Sequence, residues 1–343
     1  MLILGIETSC DETAMAIIND RREILSHVVF SQIDIHKEFG GVVPEIAARN
    51  HLDVIDKVFA LTLQRAGISA RDIGAIGATA GPGLIGGVMV GTVFAKTLAS
   101  ILKKPFIAVN HLEGHALICR LTDNADFPFL LLLLSGGHCQ IVEAAGIGRY
   151  KKLGETIDDA LGECFDKVGK MLGLEYPAGA KIEELAKLGN REKFVFPLPL
   201  NNTAGRKRPK DLFNFSFSGL KTAVRIRLAR EKNFAVEDVC ASFQWTIVKI
   251  LANRLENIFR AGILNENIRE IIISGGVGAN QYIKQNLKPL CEKYGYSLTT
   301  PPPELCGDNG VMIANVGLER LKLNKIDDLL ITPKSRWELE ELC

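Results

Sequence analysis

The chain has no closely spaced cysteine pair. Its eight cysteines, at 10, 119, 139, 164, 240, 291, 306 and 343, stand singly, which argues against a disulfide framework or a zinc ribbon and leaves them as reduced thiols. Charge of one sign is not in surplus: 41 Lys and Arg against 40 Asp and Glu give +1 at pH 7. A nucleic-acid partner would therefore be met by local basic clusters or by other subunits. The leucine run is short as well. The leucines at 130–134, even with their neighbours, fall far short of the ~20 residues that span a bilayer. The first residues, MLILGIETSCDET, reach acidic side chains without a basic start and a long apolar region, so neither a signal peptide nor a membrane partner is expected. No G-x-x-x-x-G-K-[ST] P-loop is present, and the glycine-rich stretch at 81–87 is not taken for a dinucleotide fingerprint.

What the chain does contain is apolar material for a sizeable core. With 343 residues, 47% hydrophobic and 24% charged, it is expected to form about two globular domains with no disordered segment. The pivotal stretch is 104–119, KPFIAVNHLEGHALIC. Residues 105–110 read as a short strand, and Asn110 at its end can cap a helix that starts at once. His111 and His115 then lie about 40° apart on one helix face, close enough to ligate one metal ion. Two half-buried histidines bonded to water or backbone are the equally weighted alternative. Glu113 falls about 200° round the helix from His111. In the zinc peptidase motif the glutamate directly follows the first histidine, so that chemistry is disfavoured.

Residues 2–7 and 14–19 predict a hairpin whose tip, TSCDET at 8–13, is rich in hydroxyl and acidic groups. Such a tip can cup a phosphate or hold a magnesium ion through water; an ordinary turn is the alternative. A third strand at 24–31, a long helix through Ala66 stopped by Gly67, a strand at 73–79 and a small-residue helix ending at Leu102 follow. The glycines of GPGLIGG at 81–87 allow either an anion at the helix start or tight helix packing. Residues 127–134, the turn Ser135-Gly136-Gly137-His138 and 139–144 repeat the hairpin with a polar tip. That recurrence suggests a duplicated α/β architecture with a cleft between its lobes, although no overt sequence repeat accompanies it.

Further along, Asp166 and Glu183 flank a Pro-Ala-Gly turn and could bond ribose hydroxyls, as could the carboxylates of any solvated helix. In 206–230 basic residues (Arg206, Lys207, Arg208, Lys210, Lys221, Arg225, Arg227, Arg230) interleave with phenylalanines. That pattern suits nucleic-acid contact, but a charged loop beside buried phenylalanines is the favoured reading. SGGVGAN at 274–280 brings backbone close to a flat or anionic ligand, with Asn280 placed for a base or sugar. Asp308 is an oxygen donor at a helix start, either completing a site with His111 and His115 or serving as an N-cap.

In chain order, GIETSCDET (5–13), GGVVPE (40–45), GPGLIGG (81–87), NHLEGH (110–115), SGGH (135–138), FSFSGLKT (215–222), SGGVGAN (274–280) and GDNG (307–310) closely resemble the TsaD family of tRNA threonylcarbamoyltransferases, formerly described as O-sialoglycoprotein endopeptidases. The resemblance covers nearly the whole chain. It implies the ASKHA fold, the duplicated α/β architecture of actin, Hsp70 and sugar kinases, with an interlobe nucleotide cleft. The implied domains are an N-terminal lobe at 1–110, a linking helix at 111–125 and a C-terminal lobe at 126–343 with a helical and loop insertion around 150–265. By the same resemblance His111, His115 and Asp308 hold one divalent metal, iron first, with zinc or magnesium as alternatives. Leu134, Ser135, Gly136, Gly137, His138, Asp166, Gly179, Glu183 and Asn280 hold threonylcarbamoyl-AMP, and Asp11 and Glu12 are candidate catalytic groups.

The implied reaction moves the threonylcarbamoyl group to adenosine 37 of tRNAs reading codons that start with A, and releases AMP. The implied partners are tRNA, an inactive TsaB-like paralogue that pairs with the N-lobe helices and a small TsaE-like ATPase, in the bacterial cytoplasm. Three positions depart from the usual pattern: Cys139, Gly307 and Ala178. The methyl of Ala178 could crowd a ribose if the backbone there needs positive φ. The competing functions are an ATP-dependent small-molecule kinase of the same fold class, a noncatalytic ATP-binding scaffold and, weaker, a metallopeptidase.

Overall fold

The computed structural model describes residues 1–200, 211–231 and 233–342. Its strands are β1 (Leu2–Glu7), β2 (Glu12–Asn19), β3 (Ile24–Ser31), β4 (Ile73–Gly81), β5 (Phe106–Asn110), β6 (Phe129–Leu134), β7 (Cys139–Gly146), β8 (Arg149–Glu155), β9 (Glu270–Ser274) and β10 (Ser297–Thr299). The α-helices are α1 (Ile33–Lys37), α2 (Pro44–Ala66), α3 (Ile85–Leu102), α4 (His111–Thr122), α5 (Leu161–Met171), α6 (Gly179–Ala186), α7 (Ser218–Arg230), α8 (Val236–Ala261), α9 (Gln281–Lys293), α10 (Pro303–Cys306) and α11 (Gly310–Lys322).

Two compact units result. Unit 1 comprises Met1–Asn124, Gly146–Tyr150 and Gly307–Cys343, and unit 2 comprises Ala125–Ala145 and Lys151–Cys306. The first sheet runs β3-β2-β1-β4-β5 and the second β8-β7-β6-β9-β10, the same order in both. Each is mixed: β1 pairs antiparallel with β2 and parallel with β4, and β6 pairs antiparallel with β7 and parallel with β9. The duplication expected from the two hairpins is therefore present as topology.

Period-two alternation explains how unit 1 packs. Leu4 and Ile6 of β1, with Met15 and Ile17 of β2, bury against Ile55 and Val58 of α2 and Ala95 and Ala99 of α3. Gly5, between Leu4 and Ile6, points the other way onto α11, where an added Cβ would lie 2.2 Å from the Gly310 carbonyl oxygen and 2.3 Å from the Ala314 nitrogen. No side chain fits there, so the backbones of β1 and α11 meet directly. In unit 2 every residue of β6 is buried, which accounts for the unbroken leucine run: a strand covered on both faces has no polar alternation. Its Leu130, Leu132 and Leu134 pack with Phe165, Ile182, Phe243, Ile247 and Leu251.

α3 has the length and apolar composition to cross a membrane, with a third of its span buried in the structure. Its small residues explain the buried part, because Gly87 and Gly91 press on Thr8, where an added Cβ would come within 2.4 Å of the Thr8 carbonyl oxygen and 2.2 Å of its Oγ1, respectively. Its outward Ile85, Met89 and Val93 are about half exposed, at 47–58%. Gly81, Gly83 and Gly86 keep a G-x-G-x-x-G spacing between β4 and α3. The structure spends them on packing: Leu84 N donates to Ser9 O at 2.7 Å, and a Cβ on Gly81 or Gly83 would strike Lys334 or Ser9.

Candidate functional site

β1, β4 and β5 run parallel, so their carboxyl ends, Glu7, Gly81 and Asn110, share one edge of the first sheet. In open α/β sheets ligands collect at that edge. Asn110 caps α4 as expected, its side-chain oxygen accepting from Leu112 N and Glu113 N, and this cap fixes where the first turn of α4 points. His111 and His115 follow with ring centroids 4.8 Å apart in an edge-to-face pair. The turn before α11 supplies the third group. Asn309 is the N-cap there, accepting from Met312 N at 2.9 Å, so Asp308 is not consumed as a cap. Its Oδ1 lies 3.1 Å from His115 Nε2 and 3.5 Å from His111 Nε2.

These distances fit one cation. Two donors each about 2.1 Å from an ion sit roughly 3.0–3.4 Å apart at octahedral or tetrahedral angles, and the ligand atoms of all three residues lie within 4.8 Å of one another. His115 Nδ1 is buried and has no hydrogen-bond partner among the described residues. Its Nε2, facing Asp308, is therefore the nitrogen that the site uses.

Behind His111 stands a residue that the motif reading missed. Glu7, wholly buried at the end of β1, accepts from Ser9 N at 2.5 Å and Thr79 Oγ1 at 2.5 Å, and its Oε2 lies 3.0 Å from His111 Nδ1. Ser9 Oγ is 3.2 Å from the same nitrogen. A carboxylate on Nδ1 sets the tautomer, turning the Nε2 lone pair toward the candidate metal position. Burial alone would depress His111, but the carboxylates of Asp308 and Glu7 outweigh it and raise its pKa to about 9. Burial likewise works against the Glu7 charge, and the His111 cation with its hydrogen bond brings that carboxyl below its usual range. The two carboxylates thus favour positive charge at this position, as a cation held there would supply. The available signal was a charged residue closing an otherwise apolar strand, LILGIE.

The hairpin tip lies beside this group. Burial, then the carboxylates of Asp11 and Asp308, push Glu12 well above the usual carboxylate range. The tip is braced by His51 of α2, which is buried: Thr13 Oγ1 lies 2.7 Å from its Nδ1 and the Cys10 carbonyl 3.1 Å from its Nε2. Nε2 therefore carries the proton, and burial keeps the ring neutral. Burial also pushes the Cys10 and Cys139 thiols up, Cys10 with help from Asp11, so neither is a ready thiolate.

Glu113 is no peptidase base. It is fully buried, and its Oε2 accepts from Arg320 Nε and Nη2, both at 2.8 Å, while Oε1 accepts from Tyr150 OH and Gly148 N, both at 3.0 Å. The four donors leave the carboxylate nothing to offer a substrate.

In unit 2 the carboxyl ends of β6 and β9 gather the second set. Ser135 and His138 close a tight turn, with Ser135 N donating to His138 O at 2.8 Å and His138 N to Ser135 Oγ at 3.0 Å. A Cβ on Gly136 or Gly137 would meet open space. Gly275, at φ +93, backs directly onto Leu134, where an added Cβ would lie 2.5 Å from the carbonyl oxygen. The start of α5 packs on the same turn, since a Cβ on Gly162 would sit 2.8 Å from Gly136 Cα. Asp166 accepts from Ala178 N at 2.8 Å. Glu183 accepts from Gln281 N at 2.8 Å and Tyr282 N at 3.2 Å. Asn280 caps α9 through Ile283 N and donates to Gln244 Oε1 at 3.0 Å. The structure thus brings these residues round one edge and shows Asp166, Glu183 and Asn280 bracing it, a role that sequence reasoning had not given them. Ala178 has φ −91 and ψ −10, so no positive φ is needed, and its buried methyl faces Gly169 of α5.

The basic and aromatic stretch divides. Phe215 and Phe217 are fully buried, as the favoured reading held, and Lys221 pairs with Asp159. Arg225, Arg227 and Arg230 are exposed. Arg206, Lys207, Arg208 and Lys210 lie outside the described residues.

Three comparisons with known proteins bear on this geometry. Residues 23–315 match the family model described as TsaD, tRNA N6-adenosine threonylcarbamoyltransferase. The proteins of that name from Rickettsia peacockii (strain Rustic) and Rickettsia canadensis (strain McKiel) are each 52% identical, with 99% of this chain and 98% or 99% of theirs covered. Among solved structures, full-length HypF in a phosphate- and nucleotide-bound form aligns over 95% of this chain and 56% of its own, with a TM-score of 0.60 at 15% identity. The activator of 2-hydroxyisocaproyl-CoA dehydratase from Clostridium difficile, with bound ADPNP, aligns over 95% and 97%, with a TM-score of 0.53 at 13% identity. At such identities the structural likeness speaks for the fold alone, which is that of the ASKHA class.

Proposed function

The chain belongs to the TsaD family, the tRNA N6-adenosine threonylcarbamoyltransferases, and on that premise we propose how its residues divide the work. The enzyme is an acyltransferase acting on tRNA. Its donor in this reading is threonylcarbamoyl-AMP and its acceptor the exocyclic amine of adenosine 37. The amine nitrogen bonds to the carbamoyl carbon, the bond from that carbon to the phosphate oxygen breaks, AMP leaves and the amine gives up a proton. The anhydride is already activated, so no serine or cysteine nucleophile is called for.

The observation that carries the assignment is the convergence of His111, His115 and Asp308 with Glu7 behind the first histidine. Two imidazoles and one carboxylate are a donor set shared by non-haem iron and catalytic zinc and foreign to magnesium, and iron is the ion assigned in this reading. The ion, when bound, supplies Lewis-acid polarisation to an oxygen of the donor. Glu7 fixes the His111 tautomer. Asp11 is assigned to receive the amine proton, and Glu12, whose carboxyl is pushed above its usual range by burial and its acidic neighbours, to donate a hydrogen bond to a developing charge. The turn at 134–138, with Asp166, Gly179, Glu183 and Asn280, holds the adenylate: open glycines leave room for the phosphate or a ring, and the braced carboxylates set the edge.

The exposed Ile85, Met89 and Val93 of α3, with Leu52 of α2 at 63% exposure, form the apolar face on which a TsaB-like paralogue docks, with a TsaE-like ATPase as a further partner and the cytoplasm as the working compartment. Burial of that face is worth roughly 25 cal/mol per Å², which accounts for an apolar helix being left half covered.

The test is nucleoside mass spectrometry of unmodified tRNA incubated with the chain, synthetic threonylcarbamoyl-AMP and its partner proteins, with His111→Ala in parallel. Modified adenosine from the wild type alone supports both the transfer and the metal site. Equal product from both proteins removes the metal assignment.

A further inference from the structure

The chain's charge is balanced overall but not along its length. Residues 187–254 hold fourteen Lys and Arg against five Asp and Glu, and five of those cations, four at 206–210 and Lys232, lie outside the described residues. Within the described part the excess collects on three connected elements of unit 2. The outer side of α7 presents Arg225, Ile226, Ala229 and Arg230 to solvent, while Leu220 and Val224 face the core. Arg225 and Arg230 have no ion-pair or hydrogen-bond partner among the described residues. Arg227, on the inner edge of the same helix, lies over Phe194, 5.4 Å from the ring centroid, and faces Glu231 at 3.7 Å. The 187–196 segment that carries Phe194 also carries Arg191, whose guanidinium sits 4.3 Å from the centroid of the half-buried Trp245 of α8; Lys249 lies 5.5 Å from that same ring.

We infer that this face, from α7 across the 187–196 segment to Trp245, is where the tRNA backbone docks. The inference rests on the transferase reading, which supplies a polyanionic substrate but does not say where it lies. The physical case has three parts. Unpaired arginines held on a helix are what phosphate recognition requires, and each phosphate they neutralise releases counterions. The Trp245 ring, with Arg191 over it and Lys249 beside it, holds two cations together at the far end of the face, where they add to the phosphate-binding charge. The face also starts near the adenylate residues. α6 begins at Gly179, carries Glu183 and ends at Ala186, a span of about 12 Å, after which the basic segment follows at once. An anticodon loop lying on this face would keep its backbone within a helix length of the donor.

The test compares tRNA binding by the full chain and by Arg225→Glu/Arg230→Glu across a salt series, using fluorescence anisotropy with unmodified tRNA. Lys288→Glu/Lys293→Glu on α9 serves as the matched charge control. The double reversal is expected to weaken binding at least about tenfold and to reduce the slope of log K against log salt by about 2, with the control unchanged. Metal content and threonylcarbamoyl-AMP binding should stay at wild-type levels. Deuterium exchange on the unmutated protein gives a second reading, with tRNA slowing exchange in peptides covering 187–200 and 218–250.

Wild-type affinity and salt slope in the arginine variant, with no protection of those peptides, overturn the inference. If tRNA binding survives while capture of a protein partner is lost, the face docks protein and the RNA assignment is wrong. A wild-type chain that neither binds nor modifies tRNA fails differently, because it removes the transferase premise itself.

Discussion

Replacing Glu113 should destabilise unit 1 without touching the chemistry. The Glu113 side chain is 0% exposed and that of Arg320 9%. Glutamine keeps the shape but turns one oxygen into an NH₂ group. Facing Arg320, that NH₂ would oppose two N–H donors; turned over, it opposes Gly148 N–H, while the Tyr150 hydroxyl can rotate to accept. The second orientation is the cheaper, and it still leaves a buried guanidinium without its counter-charge. Breaking one side of a buried pair costs about 3–5 kcal/mol. With a urea m-value of about 2 kcal/mol/M, the midpoint should fall by roughly 1.5–2.5 M.

The assay can be made specific to the unit, because the two tryptophans fall one in each: Trp337 in unit 1 and Trp245 in unit 2. In a Trp245→Phe background, fluorescence reports on unit 1 alone. Glu113→Leu with Arg320→Met should recover part of the loss, since apolar replacement of both partners removes the stranded charge. A midpoint shift below about 0.5 M together with lost transfer activity would refute the reasoning and return Glu113 to the active site.

Glu7→Gln should lower metal affinity about 10–100-fold, read by competition with a chelator, while circular dichroism stays unchanged; unaltered affinity would mean the carboxylate only fills space. Asp308→Asn should remove bound metal and activity together, measured by elemental analysis and nucleoside mass spectrometry. In the metal-free protein His111, raised to about 9, adds stability that is complete below its ordinary 6.5 and is lost as pH rises through about 9. Glu7, held low, adds stability that is complete above its ordinary 4.5 and is lost on acidification. Urea midpoints of chelated protein should therefore be highest between those values, and a midpoint flat from pH 6 to about 9.5 would contradict the His111 assignment. Gly91→Ala places a methyl 2.2 Å from Thr8 Oγ1; since the helix and the tip must part to admit it, transfer activity should fall while tRNA binding is retained.

The fold was legible where periodicity was strong. β1 and β2, the cap at Asn110, and α2 with its left-handed Gly67 stop lie where the pattern put them. β8 escaped because RYKKLGE, at the sheet edge, has almost no apolar alternation, and an edge strand needs little. The grouping of His111, His115 and Asp308 was legible as spacing plus one distant oxygen donor, and excluding the N-cap role for Asp308 took the structure, which gives the cap to Asn309. Glu7 and the bracing work of Asp166 and Glu183 were not legible, because they depend on which backbone N–H or imidazole a carboxylate faces. That is a property of tertiary distance, and no local pattern encodes it.

The hairpin tip at 8–13 and the inner sides of α2 and α3 share their polar contacts: Thr8 Oγ1 to Gly87 O, Leu84 N to Ser9 O, and His51 to Cys10 O and Thr13. With glycines at the closest approach there is no soft layer between them. The tip and the two helices are thus joined by direct contacts, with Asp11 and Glu12 at one end of the join and Met89 and Val93 on the outer side of α3. A small molecule wedged under the outer side of α3 would therefore be felt at Asp11 and Glu12, which it never touches.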